Sequence, residues 1–207
     1  MGRVQSGNHF INCYALGNVV VGSLGHSDIN AGGFAGRAPN SNISFSRCFS
    51  TGLVYGRTQK SVGISGTATE DGAWLGGFVG YMWGSGSDRI SDCVVLGASI
   101  TNRSPTNTNA YRIYSRCEND EVNTNNNYAI DSIQVRRGPF FINDPLTNVN
   151  ITTSDAVHNG RHGRTVHDVD RYNPNFWRII VNFSDTIWDF STIASRGHPI
   201  LRGVEGQ

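Results

Sequence analysis

Charge is what this sequence has least of. Only 16% of its 207 residues are Asp, Glu, Lys or Arg, against about a quarter in an average globular domain. The signs nearly cancel, 17 basic against 16 acidic, for a formal charge of +1. So weak a field gives no electrostatic basis for binding nucleic acid or an anionic membrane, and neither is expected as a partner. No apolar run approaches the roughly 18 residues that span a bilayer, so no membrane insertion is expected. Met1-Gly2-Arg3 leads straight into polar sequence, without the apolar core of a secretory signal. Four cysteines are too few for a disulfide scaffold in a chain of this length. Catalytic signatures are missing too. There is no H-E-x-x-H and no G-x-S-x-G, and Gly84-Ser85-Gly86-Ser87 lacks the following Lys and helix of a phosphate loop. The chain is therefore read as not an enzyme and as needing no cofactor.

Gly, Ser, Thr and Asn take the place of charge. They offer the backbone turns and local hydrogen bonds that compete with helix, which favours short strands joined by turns. Against that background an internal repeat stands out. Cys13, Cys48 and Cys93 sit in Asn-Cys-Tyr-Ala-Leu-Gly, Arg-Cys-Phe-Ser-Thr-Gly and Asp-Cys-Val-Val-Leu-Gly, and Asn127 holds the same place in Asn-Asn-Tyr-Ala-Ile-Asp. The four positions are 35, 45 and 34 residues apart. A second motif, Gly-Gly-Phe-Ala-Gly-Arg from Gly32 and Gly-Gly-Phe-Val-Gly-Tyr from Gly76, decays to Tyr-Arg-Ile-Tyr-Ser-Arg from Tyr111. It begins 16, 17 and 16 residues before the aligned position.

Each unit reads as three short strands: one on the GGFxG motif, one on the Cys, and one on the apolar run after the next Gly. A single unit cannot bury its apolar side, but stacked units share a continuous core. In parallel stacking, like positions lie about 4.8 Å apart. Cys13, Cys48, Cys93 and Asn127 would then form one inward ladder, and Ala15, Ser50, Val95 and Ala129 another on the same face. The cysteines are read as buried free thiols, and Cys117, in a turn, as exposed. The extra length of the second unit is placed in a loop around 57–74.

The expected fold is all-β, a parallel β-helix or solenoid of about four coils over 1–132, with a mixed, aromatic-rich cap over 133–207 belonging to the same domain. Phe176, Trp177, Phe183, Trp188, Phe190 and Leu201 are expected to cover the last coil and block its open edge, with one short helix at 173–177, where Pro174 suits a first turn.

The two motifs resemble the GLUG repeat over about residues 5–131, with Phe34 and Phe78 where that family often has Leu. The resemblance implies a β-helical stalk on large bacterial surface or secreted proteins, including adhesin-like proteins and accessory regions of immunoglobulin A peptidases. It brings no catalytic residues. The first unit lacks its GGFxG motif, so the natural chain is expected to extend further N-terminal.

The function expected is a non-catalytic adhesin or stalk module, extracellular on the bacterial surface, presenting loops to a host glycan or protein. A polysaccharide-active β-helical enzyme and a purely structural spacer are the alternatives. Candidate ligand-binding residues are the aromatics Tyr55, Tyr81, Trp83 and Tyr111, expected to be exposed. The one concentration of metal-ligating types is 154–170, where His158, His162, His167 and Asp168 are the candidate zinc ligands. The glycines among them point instead to a polar surface loop.

Overall fold

The computed structural model describes residues 2–24, 28–39, 42–58, 72–83, 87–104, 108–117, 122–139 and 142–204. The protein is mostly β, and the sheets built by its repeat strands are parallel. The first unit contributes His9–Ile11 (β1), Tyr14–Ala15 (β2), Val19–Ser23 (β3), Ile29–Gly32 (β4) and Ala35–Ala38 (β5). The second repeats the series as Ser44–Ser46 (β6), Phe49–Ser50 (β7), Val54–Thr58 (β8), Ala73–Gly76 (β9) and Val79–Met82 (β10). The third does so as Arg89–Ser91 (β11), Val94–Val95 (β12), Ser99–Arg103 (β13), Thr108–Tyr111 (β14) and Tyr114–Cys117 (β15). The fourth keeps Asn123–Asn125 (β16), Tyr128–Ile130 (β17) and Gln134–Gly138 (β18). Each strand pairs in parallel with the one five places along the chain, which builds five sheets side by side.

The unit thus has five strands rather than the expected three. The GGFxG motif is not one strand but the corner between two, β4–β5 and β9–β10. The glycines are required by close approach: a Cβ on Gly33 would lie 2.3 Å from the Gly77 carbonyl oxygen, and one on Gly77 2.2 Å from that of Arg112. A second corner precedes the Cys strand. Asn12, Arg47, Asp92 and Asn126 all take left-handed backbone conformations, with φ of 55°, 52°, 52° and 53°. Asn and Asp tolerate that region through local hydrogen bonds. Their side chains also bond along the stack, Arg47 Nε to Asn12 Oδ1 at 3.2 Å and Asn126 Nδ2 to Asp92 Oδ1 at 2.6 Å.

The inward ladders lie as the repeat predicts. Ala15, Ser50, Val95 and Ala129 are paired in register. The thiols of Cys13, Cys48 and Cys93 each donate to the carbonyl two residues back, of Ile11, Ser46 and Ser91, at 3.3, 3.2 and 3.2 Å. The neighbouring thiol and then burial push Cys13 up, and burial chiefly pushes Cys48 up, so both stay protonated. Asn127 ends the row: its Oδ1 accepts from the Cys93 N–H at 3.1 Å and its Nδ2 donates to the Ile90 carbonyl at 2.7 Å. Phe10, Phe34, Phe45 and Phe78 fill the opposite side of the interior with stacked and edge-on contacts. Cys117 is also buried, paired with Met82 inside a strand rather than exposed in a turn.

The added length of the second unit falls between β8 and β9, and the pairings on both sides hold register across it. The loop residues 59–71, the stretches 25–27 and 84–86, and Glu118, Asp120 and Glu121 lie outside the described residues.

The aromatic C-terminal segment does not cover the last unit. It lies along the flank of the stack. Trp188 meets Tyr14 of the first unit and Phe49 of the second, Trp177 and Phe183 also meet Phe49, and Phe176 meets Tyr128 of the fourth. The cause is readable in the strands. Tyr14, Phe49, Val94 and Tyr128 are paired in one ladder next to the inward one, so they face outward, and a column this apolar must be covered. The segment is built from a 3-10 turn at Asp168–Tyr172, a wide helical turn at Phe176–Ile180 entered through Pro174, and the helix Ile193–Arg196 (α1). No helix among the described residues is long and apolar enough to cross a membrane.

Candidate binding site at the end of the stack

The last unit presents unpaired strand edges, and residues 142–166 run across them as a strap. Thr147–Asn148 (β19) pairs antiparallel with β18, and Arg164–Val166 (β20) pairs parallel with β17. Between them the Ile113 N–H donates to the Arg161 carbonyl at 2.9 Å, and the Thr124 hydroxyl to that of Asn159. Backbone groups that would otherwise be buried without partners are satisfied in this way. Arg112 occupies the ladder position of Gly33 and Gly77. It fits because no further unit lies above it. Its guanidinium turns into the strap and donates to the His162 carbonyl (3.0 Å), the Gly163 carbonyl (3.1 Å) and Thr165 Oγ1 (2.8 Å). Burial lowers its pKa to about 10, which leaves it charged at neutral pH.

The strap and the start of the flank carry the His and Asp residues, and the fold gives each its own partner. His158 Nε2 lies 3.1 Å from Arg164 Nη1, and its ring meets the Tyr128 ring edge-on. Burial, then the Arg164 charge, pushes its pKa down. His162 is buried, with its ring 5.1 Å from that of Tyr111. Burial, with Arg112 beside it, lowers its pKa to about 4. His167 Nδ1 lies 3.0 Å from Asp131 Oδ2, which raises the His and lowers the Asp. Asp168 pairs with Arg171 at 3.2 Å, while its N–H donates to Asp131. Only His167 and Asp168 of the four candidate ligands meet at a shared residue, Asp131. Among the described residues, no group of three His, Cys, Asp or Glu is placed to hold a metal ion.

The aromatic candidates are dispersed. Tyr55 is half-buried on β8, Tyr111 half-buried on β14, and Trp83 exposed just beyond β10. Tyr81, expected to be exposed, is buried. Arg37 and Arg116, its register partners on either side, lay their guanidinium groups over its ring at 5.0 and 5.9 Å. An outward strand position is not an open one here, because the flanking residues in the ladder are long enough to cover it.

What the fold does bring together is a cleft of about 510 Å³ between β20 and the flank. Tyr128, Arg164, His167, Asp170, Asn173 and Asn175 supply its polar groups, and Phe176, Ile179 and Ile180 its apolar wall. A second cleft of about 500 Å³ lies on the other side of Arg164, lined by Thr124, Asn125 and His158. The Tyr128 hydroxyl is anchored on Asn126 Oδ1 at 2.6 Å, which fixes its ring in the wall. An aromatic ring, amide side chains and a guanidinium around one concavity can hydrogen-bond a polyhydroxyl or peptide ligand while packing on its apolar face. Sequence reasoning reached His167 here but passed over Arg164, Tyr128, Asn173 and Asn175. The bulky residue directly after each aligned Cys or Asn was the available signal for Tyr128.

No family model matches the chain, and no curated protein matches it. A crystal structure from Bacteroides ovatus, provisionally described as an immunoglobulin A1 protease, is similar in fold, with a TM-score of 0.54 and 18% sequence identity. The similarity covers 95% of this chain and 58% of the other, so this chain spans little more than half the length of that neighbour.

Proposed function

We propose that the chain is a non-catalytic module of a longer bacterial surface or secreted protein: a GLUG-type parallel β-solenoid of about four coils that holds its terminal clefts toward a host glycan or protein. The observation that carries this reading is the placement of the Arg164 clefts. They sit where the repeat ends, on a scaffold whose repeat strands pair in parallel and in register, so the stack serves as the support and its end as the recognition surface. The greater length of the fold neighbour suits a module within a larger chain.

A second reading, a polysaccharide-active enzyme, has one observation in its favour. His167, in the cleft wall, engages two carboxylates, Asp131 through its ring and the cleft residue Asp170 through its backbone N–H, and paired carboxylates are what glycosidic cleavage uses. One experiment separates the readings: binding of the purified chain to an array of host and dietary glycans and mucins, with released sugar assayed in the same wells. Saturable binding without product, weakened about tenfold by Arg164→Met, is the expected outcome. Product release that depends on Asp131 or Asp170 would replace the module with an enzyme. Silence in both channels would leave a structural spacer.

A further inference from the structure

β20 is the outermost strand of its sheet, whose order is β2-β7-β12-β17-β20, and no strand among the described residues pairs with its outer edge. The Arg164 N–H donates to the Asn127 carbonyl at 2.8 Å, and the Val166 carbonyl accepts from the Asp131 N–H at 2.8 Å. Both residues therefore turn their backbone groups toward β17. In a strand that direction alternates from one residue to the next, so the N–H and carbonyl of Thr165 point out of the sheet edge. Thr165 is exposed and lines the Arg164 cleft. The neighbouring backbone donors are engaged within the chain: the Gly163 N–H bonds the Gly160 carbonyl at 3.2 Å, and the His167 N–H bonds Asp170 Oδ2 at 3.0 Å. The open edge is thus one residue long, a donor and an acceptor side by side.

Side chains alternate as well. The Thr165 hydroxyl turns back to the stack, where it accepts from Arg112, so Arg164 and Val166 face the flank. There the cleft wall is apolar and uncovered, with Ile179 72% and Ile180 47% exposed. Arg164 brings a positive charge that no carboxylate matches: its side chain meets His158 Nε2 at 3.1 Å. Of the other titratable groups in the lining, Asp170 is held by the His167 N–H and His167 by Asp131. A sheet edge, an apolar wall and an unmatched cation therefore meet in one concavity. An edge of this kind is a template for another extended chain.

Taking this cleft as the recognition surface argued above, on which this inference rests, we propose that it binds an extended peptide segment of a partner protein, added antiparallel to β20. One residue of the segment exchanges both backbone hydrogen bonds with Thr165. The residue before it lies opposite Val166 and is apolar, to pack on the Ile179 and Ile180 wall. The residue after it lies opposite Arg164 and is Asp or Glu. A peptide backbone carries a donor and an acceptor at the spacing that satisfies both Thr165 groups at once, which the hydroxyls of a sugar do not.

The test is titration of the full chain with the end-capped pentapeptide Thr-Val-Thr-Glu-Thr, followed by amide chemical shifts. Saturable shifts centred on 164–166 and 179–180 are expected. N-methylation of the central Thr removes the N–H given to the Thr165 carbonyl and should weaken binding about tenfold. N-methylation of the Glu, whose N–H points away from β20, should leave binding nearly unchanged. Replacing that Glu by Gln, or Arg164→Met in the protein, should each weaken binding about tenfold, with no further loss when the two are combined. The methylated peptides alter only the ligand, so their comparison holds even if the protein variant fails to fold. Equal sensitivity to the two methylations, shifts outside the cleft, or no saturation would overturn the proposal. A glycan that shifts the same amides and loses affinity in Arg164→Met, where the peptide does not bind, would overturn it while leaving the module reading in place. No ligand for the cleft in either experiment would overturn both.

Discussion

At the scale of single residues, the end of the stack sets opposite fates for two histidines five residues apart in the sequence, His162 and His167. His167 is exposed and held by Asp131, whereas His162 is buried with Arg112, Arg137 and Arg161 around it and Asp155 as the opposing charge. An unfolded chain takes up a proton on His162 as pH falls through about 6.5, but the folded imidazole remains neutral down to about 4. Between those values the unfolded state binds more protons, so stability falls as pH drops from 6.5 to 4 and this contribution then levels off. Denaturant melts of the protein and of His162→Phe, which keeps a ring against Tyr111, should diverge over that interval. The wild type should lose stability that the variant does not. Parallel curves would place the acid sensitivity elsewhere. None of this was legible in the sequence: the 154–170 segment read as a polar loop, and the burial of His162 depends on a strap whose course is set by the strand edges beneath it.

At the scale of elements, the repeat was legible because its aligned positions recur at nearly constant offsets, and Cys13, Cys48, Cys93 and Asn127 do share one face. The strand count was not. GGFxG contains β-forming residues on both sides of a Gly pair, and nothing local distinguishes a strand with glycines from a corner between two strands. The distinction lies in what passes overhead, and that gives a graded expectation. A Cβ on Gly77 would meet the Arg112 carbonyl oxygen at 2.2 Å and the Val95 side chain at 2.7 Å, while one on Gly17, at the other end of the stack, meets nothing within 4 Å among the described residues. Gly77→Ala should therefore cost about 3 kcal/mol or more, since backbone must move, and Gly17→Ala should lie within about 0.5 kcal/mol of wild type. Chemical denaturation of the two variants checks this, and equal effects would mean that close approach of the ladders does not set the cost.

At the scale of the whole molecule, a stack in which each unit touches only its neighbours should unfold piecemeal, since stability is then a sum of local terms. The flank changes that. Trp188, fully buried, contacts Tyr14 of the first unit and Phe49 of the second, and the same segment reaches Tyr128 of the fourth through Phe176. A single covering segment thus ties the first unit to the last, and its aromatic residues are recognisable in the sequence although their place is not: that place depends on the outward column Tyr14, Phe49, Val94 and Tyr128, whose members share no residue type. The wild type should unfold in one transition, with hydrogen exchange equally slow in the ladders of the first and fourth units. Trp188→Ala should cost about 3–5 kcal/mol, and the loss should appear first in the units it bridges. Exchange in β2 and β7 should then speed up well before exchange in β12 and β17, because the strap still holds the far end. A uniform loss of protection in that variant would show that the parallel ladders alone carry the cooperativity and that the flank only shields them.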